Sequence, residues 1–422
     1  MKKFNILIGG KAGQGINKIS SIVSDLFNQY GYFTFNYRDY QSLIRGGHNF
    51  NVLSVSNQEI YSTSSKMDFI VALDDETIKY HKKELSKKGI ILSYKDFENK
   101  KLGINLNIAL AGSLANLLGI EKQTFMQVIK QEFDNEKTIN AAETEYKKKK
   151  KKPQSNEILQ LKNKIYKTDG SSSIASGVVE SGLNLYIAYP MTPATGVLHA
   201  LAKISAKHRN KKDNIDIFQP ENEIAVANMA LGASYAGKIT MIGTSGGGYD
   251  LMSEALSLQG MSEIPLTVYL SSRPGPASGV PTYTAQADLD IALRAGHGEF
   301  PRIVISPGDA LEATEKTNEA LYLAEKFSSL SILLSDKHIA SSEFSFSKKQ
   351  KPKIIGKINI KRKLPGKKGI LKASSYEHKQ TPVAETTEAA EEIKKGMERR
   401  LKKYNDIKKF LKQQKSKYKM IK

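Results

Sequence analysis

The stretch Lys238–Ser272, KITMIGTSGGGYDLMSEALSLQGMSEIPLTVYLSS, decides the fold class. An apolar run, KITMIG, ends in three glycines. YDLMSEALSLQGM then carries apolar residues at helical spacing, and PLTVYLSS returns as a second apolar run. Strand, glycine turn, helix, strand is the grammar of a parallel α/β sheet, whose strands are buried on both faces and read as continuous apolar runs. The pattern extends both ways. SSSIASGVVESG, ATGVLHALAKISAK, NEIAVANMALGASYAG and ALEATEKTNEALYLAEKF read as helices; NLYIAY, PRIVISP and SILLSD read as strands. Residues 169–342 are therefore expected to form one α/β domain with a mostly parallel sheet covered on both faces.

A second α/β segment, also expected to form an open, mostly parallel sheet, precedes it, over residues 1–146. FNILIGG opens it as a strand, GGKAGQG turns into a helix from Asn17 to Tyr30, and NVLSVS, MDFIVAL and GIILSY read as strands. INLNIALAGSLANLLG reads as a short strand followed by an apolar helix. Between the segments, residues 147–168 read as a Lys-rich linker, with a short helix at EILQLKNKIY. Like charges repel and Pro153 discourages a continuing helix. Residues 343–422 read as a basic, partly helical tail, with one helix at EEIKKGMERRLKKYNDIKKFLKQQ and no third compact domain.

The net charge of +21 over 422 residues raises the question of nucleic acid. The lysines concentrate in Lys147–Lys152 and beyond Lys348, outside the segments that read as folded, and aromatics are not interleaved as stacking platforms. A solvated linker and tail is the better account, with nucleic-acid binding driven by the Lys tracts as the alternative. No cysteine is present, which excludes disulfides and any iron–sulfur cluster held by thiolates of this chain. The basic N-terminus leads into a strand rather than a signal peptide, and no apolar run is long enough to span a bilayer. A cytoplasmic protein without membrane contact is expected.

Open parallel sheets bind ligands at the carboxyl ends of their strands. Three such ends carry unusual residues. In YIAYPMTPAT, two prolines stiffen the loop around Thr192, whose hydroxyl can donate to an anion; the plain alternative is a rigid turn. In TSGGGYDLM, glycines let backbone N–H groups approach a ligand, although such turns are common without one. In SSRPGPASGVPT, Arg273 sits where a buried strand ends, placed to grip a carboxylate; a surface arginine is the commoner outcome there. Glu223 lies in the first turn of a helix with an apolar, small-residue face. It either complements the helix dipole or holds a cofactor nitrogen in its protonated form. The glycines of GGKAGQG do not have dinucleotide-binding spacing, which leaves anion binding at that helix start.

Taken together, these segments resemble the 2-oxoacid:ferredoxin oxidoreductases, in particular the 2-oxoglutarate-type alpha subunits with a fused gamma domain. The resemblance rests on GKAGQGI and YQSLIRGGHNFNVLSVS in the first segment. In the second it rests on YPMTPAT, QPENEIAVANMALGASYAG, TSGGGYDLMSEALSLQGMSEIP, RPGPASGVPTYTAQADLDIALRAGHGEFPR and the helix after SPGDALEA. A weaker echo runs through LPGKKGILKASSYEHK to about Lys409. The resemblance implies that residues 1–146 are a gamma-like domain and residues 169–342 cover the aminopyrimidine half of thiamine diphosphate. It implies a cofactor contact for Tyr189 and Pro190, a hydroxyl contact from Thr192 to the 2-oxoacid, and a carboxylate partner in Arg273. Glu223 would be the cofactor glutamate, favouring the imino tautomer that removes the thiazolium proton.

The family's GDG motif for the diphosphate and its Mg²⁺ does not occur; DGSSS at Asp169 lacks the leading glycine and the asparagine. The resemblance thus implies a beta subunit carrying the diphosphate, Mg²⁺ and iron–sulfur sites, an active site at the interface, and coenzyme A and ferredoxin as further reactants. Family members continue past the EHK region into another α/β domain. A truncated, inactive scaffold subunit is the competing expectation.

Overall fold

The computed structural model describes residues 3–40, 47–100, 102–147, 158–207, 214–362, 364, 375–379 and 385–413. They divide into two compact units. The first comprises Met1–Asp169 with Ser341–Lys351, the second Gly170–Ala340 with Pro352–Lys422. Lys147 is the one described residue of the Lys147–Lys152 run; the rest of that run lies outside the described residues.

The first unit is a seven-stranded sheet in the order Leu85–Ser93, Met67–Ala72, Lys3–Lys11, His48–Ser56, Phe33–Asp39, Glu343–Ser347, Ile165–Asp169. Strand Lys3–Lys11 is buried from Phe4 to Gly10, as a central strand should be. It pairs parallel to Met67–Ala72 and antiparallel to His48–Ser56. Helix Ile16–Gln29 presents Ile19, Ile22, Val23, Leu26 and Phe27 to the core, the i, i+3, i+4, i+7, i+8 stripe of an amphipathic helix. Helix Leu106–Leu118 is apolar on nearly all sides because it is buried on nearly all sides. A side chain at Gly112 would meet the Ala142 carbonyl at 2.5 Å, so the glycine lets helix Glu136–Lys147 lie close.

Three readings of the sequence differ here. INLN is not a strand: Gly103–Asn105 is a single 3₁₀ turn leading into the helix. Ile104 is 93% exposed, so its alternation with asparagine marks no buried strand face. EILQLKNKIY is not helical in its described part. Its backbone turns to the end of the first helix, Leu161 N–H donating to Tyr30 O at 2.8 Å, and Ile165–Asp169 then joins the sheet. Nor does the tail begin at 343. Glu343–Ser347 is a strand between Phe33–Asp39 and Ile165–Asp169, its Phe344 packing edge-on against Phe35 at 5.0 Å. The alternation of EFSFS is the strand signal, next to a composition change that begins only at Lys348.

The second unit is a six-stranded, wholly parallel sheet in the order Arg302–Ile305, Leu330–Asp336, Leu266–Ser272, Thr240–Thr244, Leu185–Ile187, Asp216–Phe218. Across the two sheets parallel pairings outnumber antiparallel ones, the antiparallel pairs lying in the first. Helices Gly170–Ser181, Thr195–Lys207 and Ala310–Phe327 share one core layer. Helices Glu223–Tyr235, Gly246–Leu251, Ser253–Ser262 and Leu289–Arg294 share the other. The chain leaves Leu185–Ile187 for the sheet edge and returns to its other side at Thr240–Thr244. That reversal opens a crevice at the carboxyl ends of these strands. The three glycines expected as a turn, Gly246–Gly248, form the first turn of a helix instead.

Of the tail, Ala390–Gln413 is one helix, but it is not a free solvated arm. Ile407 packs with Ile303 and Leu323, and Phe410 meets Phe327 edge-on at 5.7 Å. Lys403 and Arg399 both bind the Glu263 carboxylate, at 2.9 and 3.2 Å, and Lys403 also donates to the Ser328 carbonyl. Several of its cations are thus committed within the protein. No described helix is long and apolar enough to cross a membrane.

Candidate active site at the carboxyl edge of the parallel sheet

Asn222 starts the helix that carries Glu223. Its backbone is extended and its side-chain oxygen accepts the Ala225 N–H at 2.9 Å, satisfying one of the helix's unpaired donors. Capping by Asn222 leaves the next side chain free of that duty. Glu223 turns inward and is 4% exposed. Its Oε1 is buried with no hydrogen-bond partner. A buried carboxylate oxygen left open costs about 1–3 kcal/mol or more, so this is not a group displayed to water. Gly248 makes the room for it. A Cβ there would stand 2.8 Å from both Glu223 Cγ and Oε1, and would also strike the Thr244 hydroxyl. The glycines thus admit a carboxylate to the crevice by lacking a side chain.

Arg273 follows strand Leu266–Ser272. Its Nη1 donates to the Thr192 carbonyl at 2.8 Å, and its Nε is buried without a partner. The link ties the loop of the first strand to the end of the fourth, across the crevice. Burial lowers the affinity of the guanidinium for its proton, and the Asp288 and Glu223 carboxylates oppose that shift. Asp288 is pushed above the usual carboxylate range by burial, partly offset by a hydrogen bond from Ser272 and the charge of Arg273, while Asp250 pushes the same way as burial. A side chain at Gly246 would come within 2.9 Å of both Asp288 oxygens. Ser245 and Ser271, at adjoining strand ends, are fully buried with hydroxyls that have no partner.

Of the residues expected from the sequence, Glu223, Thr192 and Arg273 come together here. Thr192 engages through its carbonyl. Tyr189, 38% exposed, and the partly buried Pro190 lie on the loop leading to Thr192. Asp288 and Asn222 were not singled out, and the glycines of TSGGGYDLM were expected to offer backbone N–H groups rather than room for Glu223. Asp288 reads in ADLDIALRAG as an ordinary helix-start aspartate, and only the fold brings it to Arg273. The GGKAGQG turn of the first unit closes on itself, Gln14 Oε1 accepting the Lys11 N–H at 2.6 Å.

Fold and site define a doubly wound α/β protein with open acidic and basic groups buried at its switch point. The profile of the pyruvate flavodoxin/ferredoxin oxidoreductase, thiamine diphosphate-binding family matches residues 176–416. That of pyruvate ferredoxin/flavodoxin oxidoreductase matches residues 5–142. The chain belongs to this oxidoreductase family. It is 30% identical to the 2-oxoacid:ferredoxin oxidoreductase subunit alpha of Saccharolobus solfataricus, over 81% of this chain and 66% of that protein. It is 41% identical to the 2-oxoglutarate oxidoreductase subunit KorA of Mycobacterium tuberculosis, over 41% of this chain and 26% of that one. Its fold matches the 2-oxoglutarate:ferredoxin oxidoreductase from Magnetococcus marinus, solved with 2-oxoglutarate, coenzyme A and succinyl-CoA bound. The TM-score is 0.84 at 27% identity, covering 100% of this chain and 80% of that one. The chain thus spans just under two thirds of the length of the first of these relatives.

Proposed function

We propose that the second unit supplies the aminopyrimidine side of a thiamine diphosphate site. The whole complex would carry out the ferredoxin-linked oxidative decarboxylation of a 2-oxoacid, 2-oxoglutarate, to its acyl-CoA. The observation that carries this reading is the buried, unpartnered Oε1 of Glu223 beside Arg273. A protonated ring nitrogen is the partner such a carboxylate lacks, and the pyrimidine ring offers one. When bound, thiamine diphosphate supplies the electron sink for decarboxylation. This chain's residues do the rest of their half. Glu223 holds a proton at the ring nitrogen. Arg273, with Nε open, pairs with the substrate carboxylate, assisted by the Thr192 hydroxyl, and fixes the angle of attack. Tyr189 and Pro190 line the approach to the cofactor.

The remaining parts belong to a beta subunit: the diphosphate and Mg²⁺ contacts, for which this chain has no GDG motif, and the iron–sulfur cluster, for which it has no cysteine. Exposed apolar residues occur in the segments that carry the site: Tyr189, Ile224, Leu251, Val280 and Leu289. Exposed apolar residues of this kind suit a surface covered by another subunit. The choice of 2-oxoglutarate leans on the relatives named above.

The test is steady-state turnover of the complex reconstituted with its beta subunit. Glu223→Gln is expected to lower kcat about 100-fold or more with little change in KM, the size of a lost proton-transfer contribution. Arg273→Ala is expected to raise KM for the 2-oxoacid about tenfold or more, the worth of a charge-assisted hydrogen bond. Near-normal turnover by Glu223→Gln overturns the role given to the carboxylate. An unchanged substrate dependence in Arg273→Ala overturns the clamp.

A further inference from the structure

The first unit holds a polar cluster that the reading above does not use. His48 begins strand His48–Ser56, and Asp74 caps helix Asp75–His81, which carries Glu76 and His81. His48 and His81 are 8% and 6% exposed. His81 Nδ1 lies 3.0 Å from Glu84 Oε2, and its Nε2 lies 2.8 Å from His48 Nε2. With both rings uncharged, these two distances order the protons along the chain. A carboxylate only accepts, so His81 Nδ1 carries the hydrogen and its Nε2 is a lone pair. His48 Nε2–H must then be the donor between the rings. His48 Nδ1 is left bare.

That bare nitrogen is buried and has no partner. Asp74 uses Oδ1 to accept from the Thr77 N–H and hydroxyl, at 2.9 and 2.7 Å, while its Oδ2 is also buried with no partner. Ligand atoms of His48, Asp74 and Glu76 all lie within 4.8 Å of one another. One imidazole nitrogen and two carboxylates thus lie close enough together to share one ion. Uncompensated, such an arrangement is costly, and a cation between them removes the cost.

We propose that His48, Asp74 and Glu76 hold a divalent transition-metal ion. One nitrogen and two oxygens suit Zn²⁺, Mn²⁺ or Fe²⁺ better than Mg²⁺ or Ca²⁺, which take oxygen-only sets. Bonds of about 2.0–2.2 Å need the three side chains to draw slightly together. The His48–His81–Glu84 chain is the outer support that metal-bound imidazoles use. It fixes the tautomer and ring plane, and passes carboxylate charge to the ligating ring. Three protein ligands leave at least one position open to water or to an anionic ligand.

The experiment uses the full chain, stripped with chelator and titrated with Zn²⁺ against a chromophoric competitor. Co²⁺ serves as a spectroscopic stand-in. One equivalent is expected, with a Co²⁺ absorption band and a raised Tm. Asp74→Asn keeps the capping oxygen and changes only the ligand oxygen, and Glu76→Gln leaves the buried relay untouched. Each is expected to weaken binding about tenfold or more while far-UV circular dichroism stays unchanged. Absence of one-equivalent binding, or affinity in both variants unchanged from the parent chain, overturns the site.

Discussion

The two units differ in how far their buried polar groups are paired. In the first, most amides and hydroxyls close on one another, Asn36 Oδ1 and the Ser113 hydroxyl excepted. Asn51 donates to Asn17 and Ser20, Asn36 donates to Ser20, Ser24 bonds Thr34, and Asn5 reaches Ser54, Ser64 and the Lys66 carbonyl. In the second, many are left open: Ser245, Ser271, Thr267, Ser331 and Ser335 have buried hydroxyls without partners, as does the Glu223 carboxylate. A closed network specifies a fold, because every member loses something if one moves. Open groups specify nothing internally. An open hydroxyl is cheap, whereas an open carboxylate is not, and it is retained where something outside the chain completes it. By this measure Glu223 in the second unit and the His48–Asp74 pair in the first are the groups most in want of a ligand.

The sharpest test of the contrast is a closed group in the second unit, away from the strand ends. Glu325 is 4% exposed and pairs with Arg362 at 2.9 Å. Burial pushes its carboxyl up to about 7, against the pull of Arg362. The folded state then binds a proton that the unfolded state, titrating near 4.5, has already released. Stability is full below about pH 4.5, falls as pH rises toward 7, and is level above. The loss amounts to ~3 kcal/mol across that window. In Glu325→Gln this slope should vanish. Urea unfolding of both proteins at pH 5 and 8 measures it. An equal slope in both would show that the carboxylate ionises in the folded state as freely as in water.

In the first unit, Asn51→Leu should cost about 2 kcal/mol, since it strands Asn17 Oδ1 and takes a donor from Ser20 while preserving volume. A cost below about 0.5 kcal/mol would mean that the network is not cooperative and that the contrast between the units is one of appearance.

Much of this was legible beforehand. The parallel unit announces itself because a strand buried on both faces is a continuous apolar run and its helices have their own period. Glu223, Thr192 and Arg273 stand at strand and helix ends, which are also places where the sequence changes character. Three kinds of feature were not legible. Ile165–Asp169 and Glu343–Ser347 are short strands far apart in sequence, and a partner, not a pattern, makes each a strand. Asp288 matters because the fold sets it beside Arg273. The His48 cluster depends on which nitrogen of each ring carries a proton, which follows only from distances. Charge misled as well: the lysines and arginines of the last helix look solvated until Glu263 and Glu377 are placed against them.

The smallest effect is the most discriminating. Thr267 lies second in strand Leu266–Ser272, beside Ser331 in the register, with its hydroxyl buried and unpartnered. Thr267→Val exchanges that hydroxyl for a methyl of nearly equal size at a position where a β-branched residue already fits. If the hydroxyl is open, nothing is lost but a desolvated dipole, and stability should stay within about 0.5 kcal/mol or rise. The same exchange at a closed hydroxyl, Thr34→Val, removes a partner from Ser24 and Asn28 and should cost about 1 kcal/mol or more. The two substitutions are chemically identical, so any difference between them reports the surroundings alone. Equal costs would erase the distinction between the units. A loss confined to Thr34→Val would show that the second unit carries buried polar atoms its own stability does not use, as the role proposed for Glu223 requires.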